Sequence, residues 1–374
     1  MNTNTQPTAI EELALPGVCG LRPYEPGKPV DELERELGLS NIIKLASNEN
    51  PFGASNKVID SITAALPELS RYPDGNGFAL KKVLADKHGV TTEHVTLGNG
   101  SNDILELLTR AFVSPEHEVV FSEHAFAVYP IVTQAVGARA IVVPAKDWGN
   151  DLDAMLSAIT DKTRVVFVAN PNNPTGTCIA KDALKDFIKA VPAHVLVVID
   201  EAYFEYALDL FPGYESAEHY LSACSNLVVT RTFSKAYGLA ALRVGYSLSS
   251  PEIADFLNRV RQPFNVNSLA MVAAVVALTD LQHLQESLAM NKAGLEQYHE
   301  ACIELGLDWI PTAANFISIN IRQSGREVFE KMLQRGVIVR PVDNYGMPDF
   351  LRITIGSTEE NQRCIEVLSE VLQA

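Results

Sequence analysis

From about residue 80 to 250, short β-branched runs alternate with longer stretches of helical periodicity. The runs are Val95–Leu97, Glu118–Phe121, Ala140–Val143, Arg164–Ala169, His194–Ile199, Asn226–Thr230 and Val244–Leu248. A parallel neighbour needs a crossover long enough for a helix, so this alternation predicts a mainly parallel sheet with helices on both faces, an α/β fold. Val165-Val166-Phe167-Val168 and Val195-Leu196-Val197-Val198-Ile199 are apolar at every position, as strands buried on both sides must be. Such sheets bind their ligands beyond the carboxyl ends of the strands. Chemistry is therefore to be sought in the residues that follow each run.

After Pro251 the pattern changes. Leu269–Leu278 is nearly all apolar and Gln282–Leu305 is amphipathic; strand-like Asn315–Ile321, a helix over Arg326–Arg335, Val337–Val339, Leu351–Ile355 and a closing helix follow. This reads as a smaller α+β domain. A chain of 374 residues has room for it, since single cores stop growing near roughly 250–300 residues. The expected division is an amino-terminal arm with part of the small domain over 1–45, a large domain over 46–265, and a helical connection with the small carboxyl-terminal domain over 266–374.

Composition excludes several classes. A formal net charge of -16 repels a phosphate backbone, and no cluster of basic and aromatic residues overrides it locally, so nucleic acid is not an expected partner. Met1 to Glu12 lacks the basic start and apolar core of a signal peptide. The run Leu269–Leu278 falls far below the ~20 apolar residues of a membrane helix. No membrane association and a cytoplasmic location are the expectations. The cysteines (Cys19, Cys178, Cys224, Cys302, Cys364) number 5 and lack a Cys-x-x-Cys pair, which argues against disulfides or a metal site.

Four segments stand where this fold puts its chemistry. Thr230 to Arg243 follows a strand and is dense in hydroxyls, with Lys235 among them. The strand ending in Val198-Ile199 runs straight into Asp200-Glu201-Ala202-Tyr203. A carboxylate at the end of a core strand needs a cationic partner, such as a protonated pyridine nitrogen, or pays heavily in desolvation; a helix N-cap fits the same position. Asn170-Pro171-Asn172-Asn173-Pro174-Thr175-Gly176 is a rigid turn that fixes its asparagine amides. Thr96-Leu97-Gly98-Asn99-Gly100-Ser101-Asn102-Asp103 reads as strand, glycine turn and helix start, which offers free backbone N–H groups to a phosphate. As a dinucleotide fingerprint it fails, because Asp103 stands where the third glycine belongs.

In this order and spacing the segments resemble the aspartate-aminotransferase family, whose members are pyridoxal 5'-phosphate (PLP) enzymes of transferase fold type I. The resemblance implies that Lys235 holds the cofactor as a Schiff base and acts as general base, and that Asp200 keeps the pyridine nitrogen protonated. It implies that Asn173 and Tyr203 hydrogen-bond the ring's phenolic oxygen, that Phe126 stacks on the ring, and that Ser101, Asn102, Thr232, Ser234 and Arg243 surround the phosphate. Ala241 departs from the glycine usual in that segment.

The amino-terminal part narrows the resemblance. Leu21 to Gly27, Lys44 to Gly53 and Arg71-Tyr72-Pro73-Asp74-Gly75 are similar to the histidinol-phosphate aminotransferases. That likeness implies transfer between histidinol phosphate and 2-oxoglutarate, giving imidazole-acetol phosphate and glutamate, in histidine biosynthesis. It places Tyr24 and Asn48 at the substrate and implies a homodimer in which Tyr72 reaches the neighbour's cofactor phosphate. Arg340 and Arg352 read as strand-end arginines; the likeness implies that Arg352 binds a substrate carboxylate and that both can meet a substrate phosphate, for which permanently charged guanidinium forks are suited. An aromatic aminotransferase or a phosphothreonine-type PLP decarboxylase shares Lys235 and Asp200 and remains the alternative.

Overall fold

The computed structural model describes residues 10–21, 35, 38 and 41–373. Its centre is a 7-stranded sheet in the order β2-β8-β7-β6-β5-β3-β4, formed by β2 (Val95–Gly98), β3 (Glu118–Ser122), β4 (Arg139–Val143), β5 (Thr163–Ala169), β6 (Leu196–Asp200), β7 (Leu227–Thr232) and β8 (Gly245–Ser249). Neighbouring strands are parallel except at β8, which runs antiparallel to both β2 and β7. Each run read from the sequence is a strand here, with ends shifted by a residue or two.

Side chains alternate faces along a strand, and this period decides what reaches the site. Val165, Phe167, Leu196, Val198 and Val228 pack on one face with Ile104, Leu108 and Leu257. Val166, Val168, Val197, Ile199 and Val229 pack on the other with Leu80, Leu84, Leu184 and Phe187. The first set continues at the carboxyl ends as Ala169, Asp200, Thr230 and Thr232. Register aligns them: Ala169 lies opposite Asp200, and Asp200 opposite Thr230. The helices Asn56–Ala65, Phe78–His88 and Ser268–Thr279 cover one face. In the last of these Ala270, Ala273, Ala274 and Ala277 are buried and Asn267 caps the start, its Oδ1 accepting from the Ala270 amide at 2.8 Å.

A second core forms around a 4-stranded antiparallel sheet, β12-β13-β10-β9, made of β9 (Asp308–Ile310), β10 (Phe316–Asn320), β12 (Arg340–Val342) and β13 (Met347–Thr354). The helices Leu281–Leu305, Gly325–Leu333 and Thr358–Gln373 close over it, burying Leu295, Tyr298, Ile317, Ile319, Val328, Met332, Leu351 and Leu368. The expected strand from the amino-terminal region is β1 (Ile43–Lys44), parallel to β11 (Val337–Ile338). The run read as one strand over Val337–Val339 is thus divided. β11 serves the pair with β1, and the chain crosses at once to β12 in the other sheet.

One expectation needs correction. Arg340 does open β12, but Arg352 sits inside β13, and the register sets it directly opposite Arg340. The sequence shows an arginine followed by two more strand residues; only the pairing reveals that the guanidinium groups face each other across a ladder.

Candidate active site

A cavity opens beyond the carboxyl ends of β5, β6 and β7, closed on its far side by the strands β12 and β13. Of the residues expected at the site, Asn48, Ser101, Asn102, Phe126, Asn173, Asp200, Tyr203, Thr232, Ser234, Lys235, Arg243, Arg340 and Arg352 all line it. Tyr72 does not. It is 84% exposed and stacks on Phe264 with ring centroids 4.8 Å apart. Tyr24 lies outside the described residues.

Lys235 sits in a turn after β7, closed by bonds from the Gly238 amide to the Lys235 carbonyl (3.0 Å) and from the Leu239 amide to the Phe233 carbonyl (3.0 Å). Gly238 has φ +70°, and a Cβ there would strike the Gly53 carbonyl, so only glycine lets the turn close. The Nζ of Lys235 donates to the Ser47 carbonyl at 3.1 Å. Withdrawal from water, then the Arg352 guanidinium and Arg243 lower its pKa to about 7, against the opposing carboxylates of Glu49 and Asp200. A lysine unfolded near 10.5 and folded near 7 binds more protons when unfolded, so stability should rise with pH between those values. The cofactor-free chain is therefore expected to gain stability over Lys235→Met as pH is raised from about 7, measured by urea unfolding. A difference that stays constant with pH would refute the lowered value.

Asp200 ends β6 and caps no helix, which removes the N-cap alternative; the following helix is Phe204–Leu210 with Tyr203 at its N-cap. The Asp200 carboxylate accepts from the hydroxyls of Thr230 (2.9 Å) and Tyr129 (3.0 Å). Burial pushes its pKa up, and these bonds only partly offset that. Both donors are neutral, so they orient the acid without neutralising it. Tyr203 is raised to about 12, chiefly by burial. Its hydroxyl oxygen accepts from Asn48 Nδ2 at 2.8 Å, which leaves the phenolic proton available to the cavity.

The glycine turn behaves as its composition requires. The helix Ser101–Phe112 begins at Gly100 (φ 81°) with no side-chain cap, and Asp103 turns back to accept from the Asn99 amide (2.8 Å) and Asn265 Nδ2 (2.7 Å). First-turn N–H groups are left facing the cavity. A Cβ on Gly100 would collide with the Arg243 guanidinium. Arg243, itself at φ 56°, donates to Ser234 Oγ (3.2 Å) and the Ala240 carbonyl (2.9 Å), and Thr232 Oγ1 donates to Ser234 Oγ (3.0 Å). Hydroxyls, uncapped amides and a guanidinium converge as an oxyanion of high charge requires. Ala241 is exposed, so its methyl group meets solvent.

On the opposite wall Arg352 donates to Asn173 Oδ1 (2.6 Å) and the Ala46 carbonyl (2.7 Å). Like charges directly opposite in a ladder repel. Arg340 stands directly opposite Arg352 in this ladder, so an anion between the two would be attracted by both guanidinium groups. Phe126 forms a side wall, edge-on to Tyr129 (6.0 Å, 89°), which stacks on Phe167 (4.7 Å, 9°).

Ser47, Thr230, Tyr129 and Tyr345 belong to this site and were missed from the sequence. Thr230 could have been found by stepping back one strand period from Thr232. Tyr345, a cavity-lining residue, carries no motif, and only the β12 to β13 turn brings it there.

A buried acid, a lysine of lowered pKa and an anion cup thus meet at the carboxyl edge of the sheet, where folds of this class bind their ligands. Residues 40–368 match the family of class I and II aminotransferases, and the chain belongs to that family. It is 62% identical over 364 residues to histidinol-phosphate aminotransferase 2 of Pseudomonas fluorescens Pf-5, covering 96% of this chain and 97% of the relative. It is 58% identical to histidinol-phosphate aminotransferase 2 of Pseudomonas aeruginosa, covering 96% and 98%. The crystal structure of histidinol-phosphate aminotransferase from Sinorhizobium meliloti in complex with pyridoxal-5'-phosphate superimposes with a TM-score of 0.88 at 27% identity, covering 96% of this chain and 97% of that one. The fold is that of the fold-type-I PLP transferases.

Proposed function

We propose that the chain transfers the amino group of L-histidinol phosphate to 2-oxoglutarate, yielding imidazole-acetol phosphate and L-glutamate in histidine biosynthesis, with pyridoxal 5'-phosphate as cofactor. The observation that carries the substrate reading is the facing pair Arg340 and Arg352 on the wall opposite Lys235. A phosphate monoester and a dicarboxylate share little except anionic oxygens, and a pair of forked guanidinium groups accommodates either.

The residues present fit the cofactor. Asp200 is a buried acid whose pKa burial raises, and a protonated ring nitrogen beside it would favour its charged form. Ser101, Asn102, Thr232, Ser234 and Arg243 would hold the phosphate, Phe126 would lie against the ring, and Asn173 and Tyr203 would meet its phenolic oxygen. When bound, the cofactor supplies an electron sink for charge developing at the substrate α-carbon. Lys235 anchors it covalently. With its side chain free of the cofactor, the Lys235 Nζ, whose pKa burial and arginines lower to about 7, would act as the general base that takes the α-proton and would return a proton to the α-carbon in the reverse half-reaction. Asn48 would line the substrate side.

We also assign the active form as a homodimer in the cytoplasm, with residues 46–265 as the cofactor-holding domain. Support for the dimer comes from apolar side chains that face solvent: Phe264, which stacks on Tyr72, and Ile59, Leu66 and Leu69 are 45%, 49%, 44% and 60% exposed. Large apolar exposure of this kind marks contact surfaces. Among the described residues no single helix is long and apolar enough to cross a membrane.

The test is a coupled assay of the PLP-loaded chain. Glutamate formation from histidinol phosphate should exceed phenylpyruvate formation from phenylalanine by at least about a hundredfold, the scale set by losing charge-paired anion contacts. Faster turnover of phenylalanine, or release of carbon dioxide from phosphothreonine, would overturn the reading in favour of the aromatic aminotransferase or the decarboxylase.

A further inference from the structure

The turn between β12 and β13 meets the large sheet through a hydrogen bond set in a small aromatic stack. His124 follows β3 and is buried, with 6% of its surface exposed. Its Nδ1 lies 2.7 Å from the Tyr345 carbonyl oxygen. A carbonyl only accepts, so Nδ1 carries the proton. The Trp148 indole stacks on the imidazole (5.3 Å, 30°) and meets Phe350 of β13 edge-on (4.9 Å, 61°). Gly346, at φ +74°, lies flush against the ring, since a Cβ there would be 3.7 Å from His124 Cε1.

Trp148 is delivered by a strained turn. Asp147 and Trp148 have φ of 50° and 64°, in the left-handed region that costs non-glycine residues stability. Lys146 and Gly149 close the turn with mutual backbone bonds of 3.1 and 2.8 Å. The strain places an indole over a buried histidine, at the seam between the two cores.

His124 also reaches the cavity in two other directions. Its carbonyl accepts from Asn172 Nδ2 at 3.0 Å, in the turn that carries Asn173, and Asn173 Oδ1 accepts from Arg352 at 2.6 Å. Phe126, the side wall, is two residues on. The turn held by Nδ1 bears Tyr345 and joins the strands of Arg340 and Arg352. We infer that His124 is a positioning residue for the transamination: through its Nδ1–H bond to Tyr345 it fixes the arginine wall relative to the cofactor wall. The inference rests on the function proposed above only for the identity of the anionic substrates.

An arginine wall binds the anionic group in ground and transition state alike, so a misplaced wall weakens uniform binding and raises KM while leaving kcat nearly unchanged. His124→Phe keeps a ring under Trp148 but removes the donor. His124→Asn discards the ring but retains an N–H donor on Cγ. In the PLP-loaded enzyme, His124→Phe should raise KM for histidinol phosphate and for glutamate each by about tenfold, with kcat within about twofold. His124→Asn should return both KM values to within about threefold of wild type, and the cofactor dissociation constant should stay put in both variants. Should His124→Phe fail to fold, Trp148→Leu, which loosens the ring from its solvent side, should raise the same KM values by about threefold. Unchanged KM, equal effects of Phe and Asn, or cofactor affinity falling in step with KM would each overturn the assignment. If wild type accepts glutamate and ignores histidinol phosphate, the substrate reading fails, and the glutamate arm still decides the role of His124.

Discussion

Lys235→Ala is expected to lower turnover by about four orders of magnitude, the upper range for losing a positioned proton-transfer group. After borohydride treatment and digestion, no pyridoxyl group should be found on the peptide containing position 235. The expectation follows from where the Nζ stands: it is among the cavity-lining groups, within 3.1 Å of the Ser47 carbonyl, and held by burial and two arginines at a pKa of about 7. An amine with that value is a base at neutral pH, whereas an exposed lysine is not. The same variant tests the dimer. Mixed with Tyr72→Ala, it should form heterodimers in which the intact Lys235 of one subunit meets the intact Tyr72 of the other, so that activity reappears at up to half the sites. Turnover by Lys235→Ala alone within about tenfold of wild type would end the proposal, and a mixture as inactive as its parts would end the crossing of Tyr72.

The large sheet was legible because its signal is strong and local. Strands buried on both faces must be apolar at every position, and Val165 to Val168 and Val195 to Ile199 admit no other reading. The site residues on this sheet were legible for a related reason. A charged side chain placed directly after such a run interrupts the pattern, as Asp200 does, and Asn173 and Lys235 lie in the loops that follow β5 and β7. What the pattern cannot give is the partner on the next strand. Thr230 and Tyr129, which hold the Asp200 carboxylate, lie 30 and 71 residues away in sequence, and only strand register and helix packing bring them to it.

The small sheet was less legible. β11 and β12 are 2 and 3 residues long and belong to different sheets, too short for a period to declare itself. The facing of Arg340 and Arg352 follows from an antiparallel register that shifts between Pro341 and Val342, and no local propensity encodes it. His124 illustrates the general case. No motif in the sequence singles it out, and its partner Tyr345 is 221 residues distant.

Asp200→Asn separates catalysis from stability. The substitution keeps the shape and removes the charge. One of the two hydroxyl donors, from Thr230 or Tyr129, then faces an amide N–H and must turn away. The cofactor should remain anchored through Lys235 and the phosphate cup, yet its ring nitrogen loses the carboxylate that keeps it protonated. Breaking a buried charge pair costs about 3–5 kcal/mol, so kcat should fall by about a thousandfold, at 1.36 kcal/mol for each factor of ten. Stability of the cofactor-free chain should move the other way. Burial raises the Asp200 pKa above 3.8, so the unfolded state binds fewer protons there and the folded state loses stability as pH climbs from that value through the raised one. An asparagine has no such penalty. At neutral pH the cofactor-free variant should therefore unfold at the same or higher urea concentration than wild type, while being catalytically crippled. Turnover within about tenfold of wild type, or a loss of stability in the cofactor-free protein, would show that Asp200 is held at the end of β6 for the fold and not for the cofactor's ring nitrogen.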